Sequence, residues 1–187
     1  MARRLGLATA LVVLFTCMVG GASPASAAKT KQRACVAASA VPDETTLPRA
    51  LNAVLCLVNQ ERARRGLPAL RRSTELTQAA VGHSTDMVSR RYFGHQSLDG
   101  QTPRQRVLQS GYFRGRATGM IEEVLACGWA HLSTPRALVA SLMRSRSHQS
   151  ILLSRRLRDV GIGLVLGGPQ QLPGFSGATL TLDVGRR

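Results

Sequence analysis

Four histidines and one pair of adjacent glutamates are the residues of this chain best suited to catalysis or metal binding. Imidazole and carboxylate groups transfer protons and bind divalent cations. The chain contains no short motif of a zinc protease, a serine hydrolase, a phosphate-binding loop or a paired-cysteine redox site. The candidate residues are far apart in sequence, so only the fold could assemble them into one site. They are His83, His95, His131, His148, Glu122 and Glu123.

Most of these residues also have an ordinary structural explanation. His83 lies on the apolar face of a predicted helix, where a histidine is most often a hydrogen-bonded core residue. His131 precedes a helix start and is expected to be exposed, and adjacent glutamates are typical of a surface. His95 differs, because it follows an aromatic pair and a glycine on a short loop between two predicted helices. Loops fixed on a rigid scaffold often carry function.

The predicted elements place helices before strands. Apolar residues at helical spacing predict helices over residues 48–65, 74–91, 102–110 and 137–145. Residues 120–126 favour a short strand. Residues 160–166 and 178–184 predict strands that pair antiparallel, the first of them interrupted by glycines at 161 and 163. Helices followed by a final hairpin are typical of the α+β class.

The N-terminal sequence predicts export. Arg3 and Arg4 precede an apolar run that is too short for a comfortable membrane span, and Ala25-Ser26-Ala27 is typical of a signal cleavage site. A twin-arginine signal fits the flanking residues less well, and a lipoprotein at Cys17 is disfavoured by the bulky residue before it. We therefore predict a secretory signal over residues 1–27, a flexible arm over 28–47 and one domain over 48–187.

The composition is strongly basic. The chain has 25 Lys and Arg against 10 Asp and Glu, and loss of Arg3 and Arg4 lowers the formal net charge by two, from +15 to +13. Such a charge favours anionic envelope polymers or lipid headgroups as partners, with a solvated basic face as the alternative. Aromatic residues are only 4% of the chain, which argues against base stacking and hence against nucleic acid. No later stretch is long and apolar enough to span a membrane.

Three cysteines remain after the predicted cleavage. In an oxidising compartment an odd number leaves one thiol over. A disulfide between Cys35 and Cys56 would join the arm to the first helix. Cys127 would then be free, and we expect it to behave as a small buried apolar residue.

Five segments in order resemble the CAP superfamily, also called the SCP domain, in its secreted bacterial branch. The resemblance covers residues 51–184 and implies a three-layer α-β-α sandwich with a small antiparallel sheet. The segments are C-L-V-N-Q-E-R-A-R-R-G-L-P-A-L from Cys56, H-S-T-D-M with Y-F-G-H-Q-S-L-D-G from His83, E-E-V-L-A-C-G from Glu122, S-R-S-H-Q-S-I-L-L-S-R-R-L-R-D-V-G-I-G from Ser145, and the closing A-T-L-T-L-D-V-G.

The family resemblance also implies a cleft that gathers two histidines and an acid. Aligned on its motifs, these are His95, Glu123 and His148, and in some members the histidines bind a divalent metal such as zinc. Two imidazoles and a carboxylate can form a three-ligand set with an open position. They can equally form a metal-free hydrogen-bonded cluster in which the carboxylate raises a histidine pKa. No catalytic residue is assigned.

This chain departs from the family pattern around that cleft. Val124 replaces an Asn, which removes an amide expected near the acid. Leu142 replaces a Trp, Gln149 replaces an Arg, and Glu122 stands where the family has Gly. Ser145 stands where animal members have a second glutamate. We therefore expect a cleft that is less polar than in better-matched members.

Three functions remain open at this point. The first is a secreted binding module of the cell envelope or extracellular space that does not catalyse a reaction. The second is a divalent-metal-dependent hydrolase acting on peptide or cell-wall material. The third is an adhesin that binds anionic polymers through its charge.

Overall fold

A four-stranded sheet with helices on both faces forms the fold. In this computed structural model the described residues are 34–114 and 119–187, so the predicted signal peptide lies outside them. No helix among the described residues is long and apolar enough to cross a membrane. The helices are α1 Leu47–Ala63, α2 Thr74–Ser89, α3 Pro103–Gln109, α4 Pro135–Arg144 and α5 Arg146–Leu152. The strands are β1 Arg71–Arg72, β2 Met120–Trp129, β3 Asp159–Leu166 and β4 Gly177–Arg186, and a 3-10 helix spans Ala130–Ser133.

The strand order is β1-β3-β4-β2. The predicted β3–β4 hairpin is confirmed, and β2 pairs antiparallel to β4 on its other side. The short strand β1 pairs parallel to β3, with Arg71 opposite Asp159. The predicted small antiparallel sheet thus carries one additional short parallel strand, which the sequence did not indicate because two consecutive arginines carry no strand pattern.

One face of the sheet packs on α1 and α4. Alternate β4 residues Leu180, Leu182 and Val184 are fully buried in this core. They meet Val54 of α1 and Leu138 of α4 in the same apolar cluster. The period-2 alternation of β4 therefore sends Thr179, Thr181 and Asp183 to the opposite face.

The opposite face is covered by α2, which approaches β3 unusually closely. A Cβ atom added to Gly161 would lie 2.1 Å from the backbone carbon of Leu76, and one added to Gly163 would lie 2.1 Å from the carbonyl oxygen of Ala80. Ser84 then donates a hydrogen bond of 2.7 Å to the carbonyl of Gly163. The sequence predicted that these two glycines interrupt the strand. Instead β3 runs through them without a break, and they make room for the helix backbone.

A disulfide fastens the residues before α1. Cys35 is bonded to Cys56, as predicted, with a Cα–Cα distance of 5.7 Å. Ala38 is buried, and its carbonyl accepts a hydrogen bond of 2.8 Å from the backbone N–H of Arg136. The described residues of the predicted arm thus belong to the same compact unit as the domain. Cys127 is a free thiol, and burial raises its pKa.

Arg62 is a buried arginine that joins α1 to the segment after α5. Its side chain is fully buried and donates to the carbonyls of Pro68 at 2.8 Å, Leu152 at 2.7 Å and Ser154 at 3.0 Å. Hydrogen bonds from a charged donor are stronger than neutral ones. The sequence pattern did not predict this anchor, nor helix α5, which has only seven residues.

We predict that Gly163→Ala destabilises the domain by about 3 kcal/mol or more, because the new methyl group would overlap the backbone of α2. Thermal unfolding followed by circular dichroism measures the effect as a fall in Tm. Gly82→Ala is the matched control: a Cβ at Gly82 of α2 meets nothing within 4 Å. It should leave Tm unchanged or raise it, since Ala favours a helix more than Gly. Equal Tm values for the two variants would contradict the close contact.

Candidate functional site

An open cleft lies where β2 begins, beside the loop that joins α2 to α3. Its volume is about 560 Å³. His95 comes from the loop, Glu123 from β2 and Ile151 from α5, so three separate parts of the chain contribute to it. The remaining lining is mixed polar and apolar: Thr102, Pro103, Arg104, Gly119, Met120, Ile121 and Glu122.

Glu123 is the centre of the polar contacts below this cleft. Its side chain is only 1% exposed. One carboxylate oxygen accepts from Nδ1 of His95 at 2.8 Å, and the other accepts from Nη2 of Arg106 at 2.7 Å. The side chain of His95 remains 53% exposed. A buried, ion-paired carboxylate therefore holds an imidazole whose other nitrogen, Nε2, is left for a ligand.

Arg106 also fixes the loop that carries His95. Its guanidinium donates to the carbonyl of His95 at 2.8 Å and to that of Gln101 at 3.0 Å. Arg106 is placed by α3, whose N-terminus has a capping box between Thr102 and Gln105. One arginine thus positions both the backbone of His95 and the carboxylate that orients its ring.

His83 supports the same loop from α2. It is buried, and its Nε2 donates to the carbonyl of Gly94 at 2.9 Å. The same nitrogen lies 3.8 Å from Glu123. Burial lowers the pKa of His83, although the negative charge of Glu123 opposes that shift. A neutral His83 fits this role, since it needs only one N–H to hold the loop.

His148 lies on α5, where its imidazole interacts electrostatically with that of His95, but it is not among the residues that line the cleft. It is half-buried, and burial lowers its pKa, with a further lowering from the nearby imidazole of His95. The neutral form of an imidazole is the one that binds metals. Ile151, one turn further along α5, lines the cleft.

The other candidate residues lie apart from this cluster or at its edge. Glu122 is exposed on the cleft wall, and His131 is exposed on the 3-10 helix. Val124 lies in the α1–α4 core, on the sheet face opposite Glu123, and Leu142 is buried in the same core. The idea that Val124 removes an amide from beside the acid was therefore wrong. Gln149 donates back to the carbonyl of Met143 at 3.0 Å.

Asp183 is a member of the site that the sequence did not reveal. It is the register partner of Glu123 on β4, is fully buried, and has no hydrogen-bond partner for either oxygen among the described residues. Burial raises its pKa well above the usual value, and the facing charge of Glu123 raises it further. A protonated Asp183 is neutral and able to donate a hydrogen bond to Glu123. In the sequence, the only sign of Asp183 as a site residue was a carboxylate within a strand of alternating pattern.

The donor set fits a metal only in part. Among residues 34–114 and 119–187 no group of three or more His, Cys, Asp and Glu side chains is placed to share one ion. The carboxylate of Glu123 is paired with His95 and Arg106, an arrangement that fits an orienting partner of a histidine. The two imidazoles of His95 and His148 remain as candidate ligands.

We predict that Asp183→Asn makes the domain more stable at neutral pH. Above the unfolded pKa near 3.8 the unfolded carboxyl ionises, while burial keeps the folded one protonated. The parent protein therefore loses stability as pH rises, by up to about 1.4 kcal/mol per pH unit, and the amide does not. Denaturant unfolding from pH 3 to pH 8 measures the difference, which should vanish at the acid end.

Asp43→Asn is the control of opposite sign. Hydrogen bonds from Thr45 and Thr46 lower the pKa of Asp43 to about 2. Its stabilising contribution is present above the unfolded pKa and is lost as pH falls through the folded one, so the variant should lose stability at neutral pH. An Asp183→Asn variant that is less stable than the parent at pH 7 would refute the protonated state.

Comparison with known proteins supports the fold reached from these contacts. Protein YkwD of Bacillus subtilis, described as uncharacterized, is 29% identical over 143 residues, which are 74% of this chain and 53% of that protein. The chain thus spans about half the length of this relative.

Two solved structures share the fold. An extracellular protein containing an SCP domain from Bacillus anthracis matches with a TM-score of 0.56 at 24% identity, over 72% of this chain and 39% of that one. An outer surface protein of Borrelia burgdorferi matches with a TM-score of 0.58 at 18% identity, over 74% and 92% of the two chains. Residues 55–176 match the sequence model of CAP, the cysteine-rich secretory protein family. The chain therefore belongs to the CAP family.

Proposed function

We propose that this protein is a secreted binding module of the cell envelope or extracellular space, and that its ligand contacts His95 in the cleft. The observation that carries the proposal is the pair formed by His95 and Glu123. An exposed imidazole is held at 2.8 Å by a carboxylate that is itself buried and ion-paired. Such a group is oriented before a ligand arrives, which lowers the entropy cost of binding.

Export is supported by the disulfide and by the relatives. The bond between Cys35 and Cys56 is typical of an oxidising compartment. The two structural neighbours are named as an extracellular protein and as an outer surface protein. Together with the predicted signal over residues 1–27, these observations support a protein that acts outside the cytoplasm.

Binding rather than catalysis is supported by the state of Glu123. A general base must lie within hydrogen-bond reach of the proton that it removes. The side chain of Glu123 is only 1% exposed and is paired with His95 and Arg106. The carboxylate therefore orients the imidazole, and the imidazole contacts the ligand.

Where a divalent cation takes part, His95 and His148 are the residues that would hold it. Two protein ligands leave several coordination positions for oxygen atoms of a ligand, so the cation would act as a bridge. Residue Glu123 would then fix the His95 ring from behind, as carboxylates do for metal-bound histidines.

The test of the binding role uses soluble peptidoglycan fragments of defined composition as the probe. We expect calorimetry to show binding to the mature protein, and at least tenfold weaker binding to the His95→Ala, His148→Ala double variant. His131→Ala, which changes an exposed histidine, should bind as the parent does. Mass spectrometry of the same mixtures should show intact fragments after incubation. Cleaved fragments would establish the hydrolase instead, and no binding by the parent would overturn the proposal.

A separate calorimetric titration with zinc alone tests the two imidazoles. We expect one zinc site in the parent and in His131→Ala, and at least a tenfold loss of affinity in the double variant. Because burial lowers the pKa of His148, its imidazole is already neutral at pH 7, and the zinc affinity contributed by this residue should change little between pH 7 and pH 8. Identical heats from the parent and the double variant would remove the metal from the cleft.

A further inference from the structure

Six arginines gather at one end of the sheet. Arg71 and Arg72 form β1, Arg158 precedes β3, and Arg186 ends β4. Arg155 and Arg156 lie in the segment between α5 and β3. We call this surface the arginine edge: Arg71, Arg72, Arg155, Arg156, Arg158 and Arg186.

The sheet register places three of these arginines side by side. The backbone of Arg158 accepts a hydrogen bond from Arg71 N–H and donates one to the carbonyl of Gly185, each of 2.9 Å. Arg186 is the next residue after Gly185 on β4, and it pairs with Met120 of β2. Neighbouring strands lie about 4.8 Å apart, so the backbones of these residues form a row across the sheet end.

The segment with Arg155 and Arg156 is held in place by hydrogen bonds from other arginines, among them Arg158, which donates to the carbonyl of Arg155. The buried guanidinium of Arg62 binds the carbonyls of Leu152 and Ser154 on its N-terminal side. Arg155 and Arg156 are both exposed. Within the described parts of the chain their guanidinium groups have no hydrogen-bond or ion-pair partner. These two charges are therefore free for an external anion on a backbone that is already ordered.

Little negative charge offsets the row. Asp159 is the carboxylate within it, and its side chain is 14% exposed. One of its oxygens accepts from the hydroxyl of Tyr112 at 2.8 Å, and the other lies 3.5 Å from Arg71. Glu75, nearby on α2, is already paired with Arg114 and Arg187.

The side-chain chemistry suits a phosphate-bearing partner. The edge uses arginine alone, and a guanidinium binds phosphate oxygens, as it does carboxylate oxygens, through two parallel N–H donors. Met120, 38% exposed, is the large apolar side chain beside the row, whereas the more exposed Leu132 and Phe175 lie on the 3-10 helix and on the β3–β4 loop. A row of charges with so little apolar surface fits a linear polymer better than a bilayer.

We propose that the arginine edge binds a linear anionic polymer that carries phosphate groups along its backbone and has no nucleobases. One end of the arginine edge meets the cleft, because Met120 lies opposite Arg186 in the sheet and also lines the cleft wall. A polymer lying along the edge would hold the protein with its cleft against the same surface. The proposal does not depend on the proposed role of His95, since it uses a different set of residues.

The test compares two double variants of equal net charge. The edge variant carries Arg155→Gln and Arg156→Gln, and the control variant carries Arg90→Gln and Arg91→Gln. The control pair follows the far end of α2, about 24 Å along that helix from β1. The probe is immobilised linear polyphosphate, measured by surface binding over a series of salt concentrations. We expect the edge variant to bind about tenfold more weakly near physiological salt, and its slope of log K against log salt to fall by 1 to 2, about what two lost phosphate contacts give. The control variant should stay within about twofold of the parent.

Equal weakening by both variants would overturn the proposal, because net charge alone would then explain the binding. Tighter binding to phosphatidylglycerol vesicles, or to single-stranded DNA of equal charge, would also overturn it in favour of a membrane or a nucleic acid. The His95→Ala, His148→Ala variant should bind polyphosphate as the parent does, which separates this outcome from failure of the cleft proposal.

Discussion

The burial of Glu123 is the constraint on which the candidate site depends. An ionised carboxylate removed from water needs compensating donors, and breaking such a pair typically costs about 3–5 kcal/mol. Arg106 and His95 supply the donors, at 2.7 and 2.8 Å. The loop between α2 and α3 is thereby tied to β2, so the same contacts that make the buried charge tolerable also aim the imidazole.

Asp183, the carboxylate next to Glu123, shows how the site affects the stability of the fold. Asp183 faces Glu123 across the sheet and has no donor of its own among the described residues. It is placed there by the alternation of β4, whose other face supplies Leu182 and Val184 to the core. A protonated Asp183 avoids a second buried charge, and it couples the stability of the domain to pH. A site that needs compensation of this kind is typical of a functional position rather than of a core optimised for stability.

Much of the fold could be predicted because local signals matched the final structure. Three of the predicted helices begin at a side chain that accepts a backbone hydrogen bond, that of Ser73, Thr102 or Thr134, and the disulfide joins the expected cysteines. Family motifs led to His95 and Glu123. The roles of Arg106 and Asp183 could not be predicted in this way, because each depends on a partner 17 or more residues away. The role of Gly161 and Gly163 was hidden for the same reason, since only the packed α2 explains why a side chain is excluded.

The buried arginine Arg62 and the exposed arginines after α5 show how one residue type serves two purposes. Arg62 satisfies backbone carbonyls and has no need of a carboxylate. Because it orders the segment after α5 from within, Arg155 and Arg156 are not consumed in holding that segment. A chain with 25 basic and 10 acidic residues has too few carboxylates to give most of its basic side chains a partner of their own. Anchoring loops through carbonyls is therefore a physical route by which a strongly basic domain keeps an ordered surface available to an anionic partner.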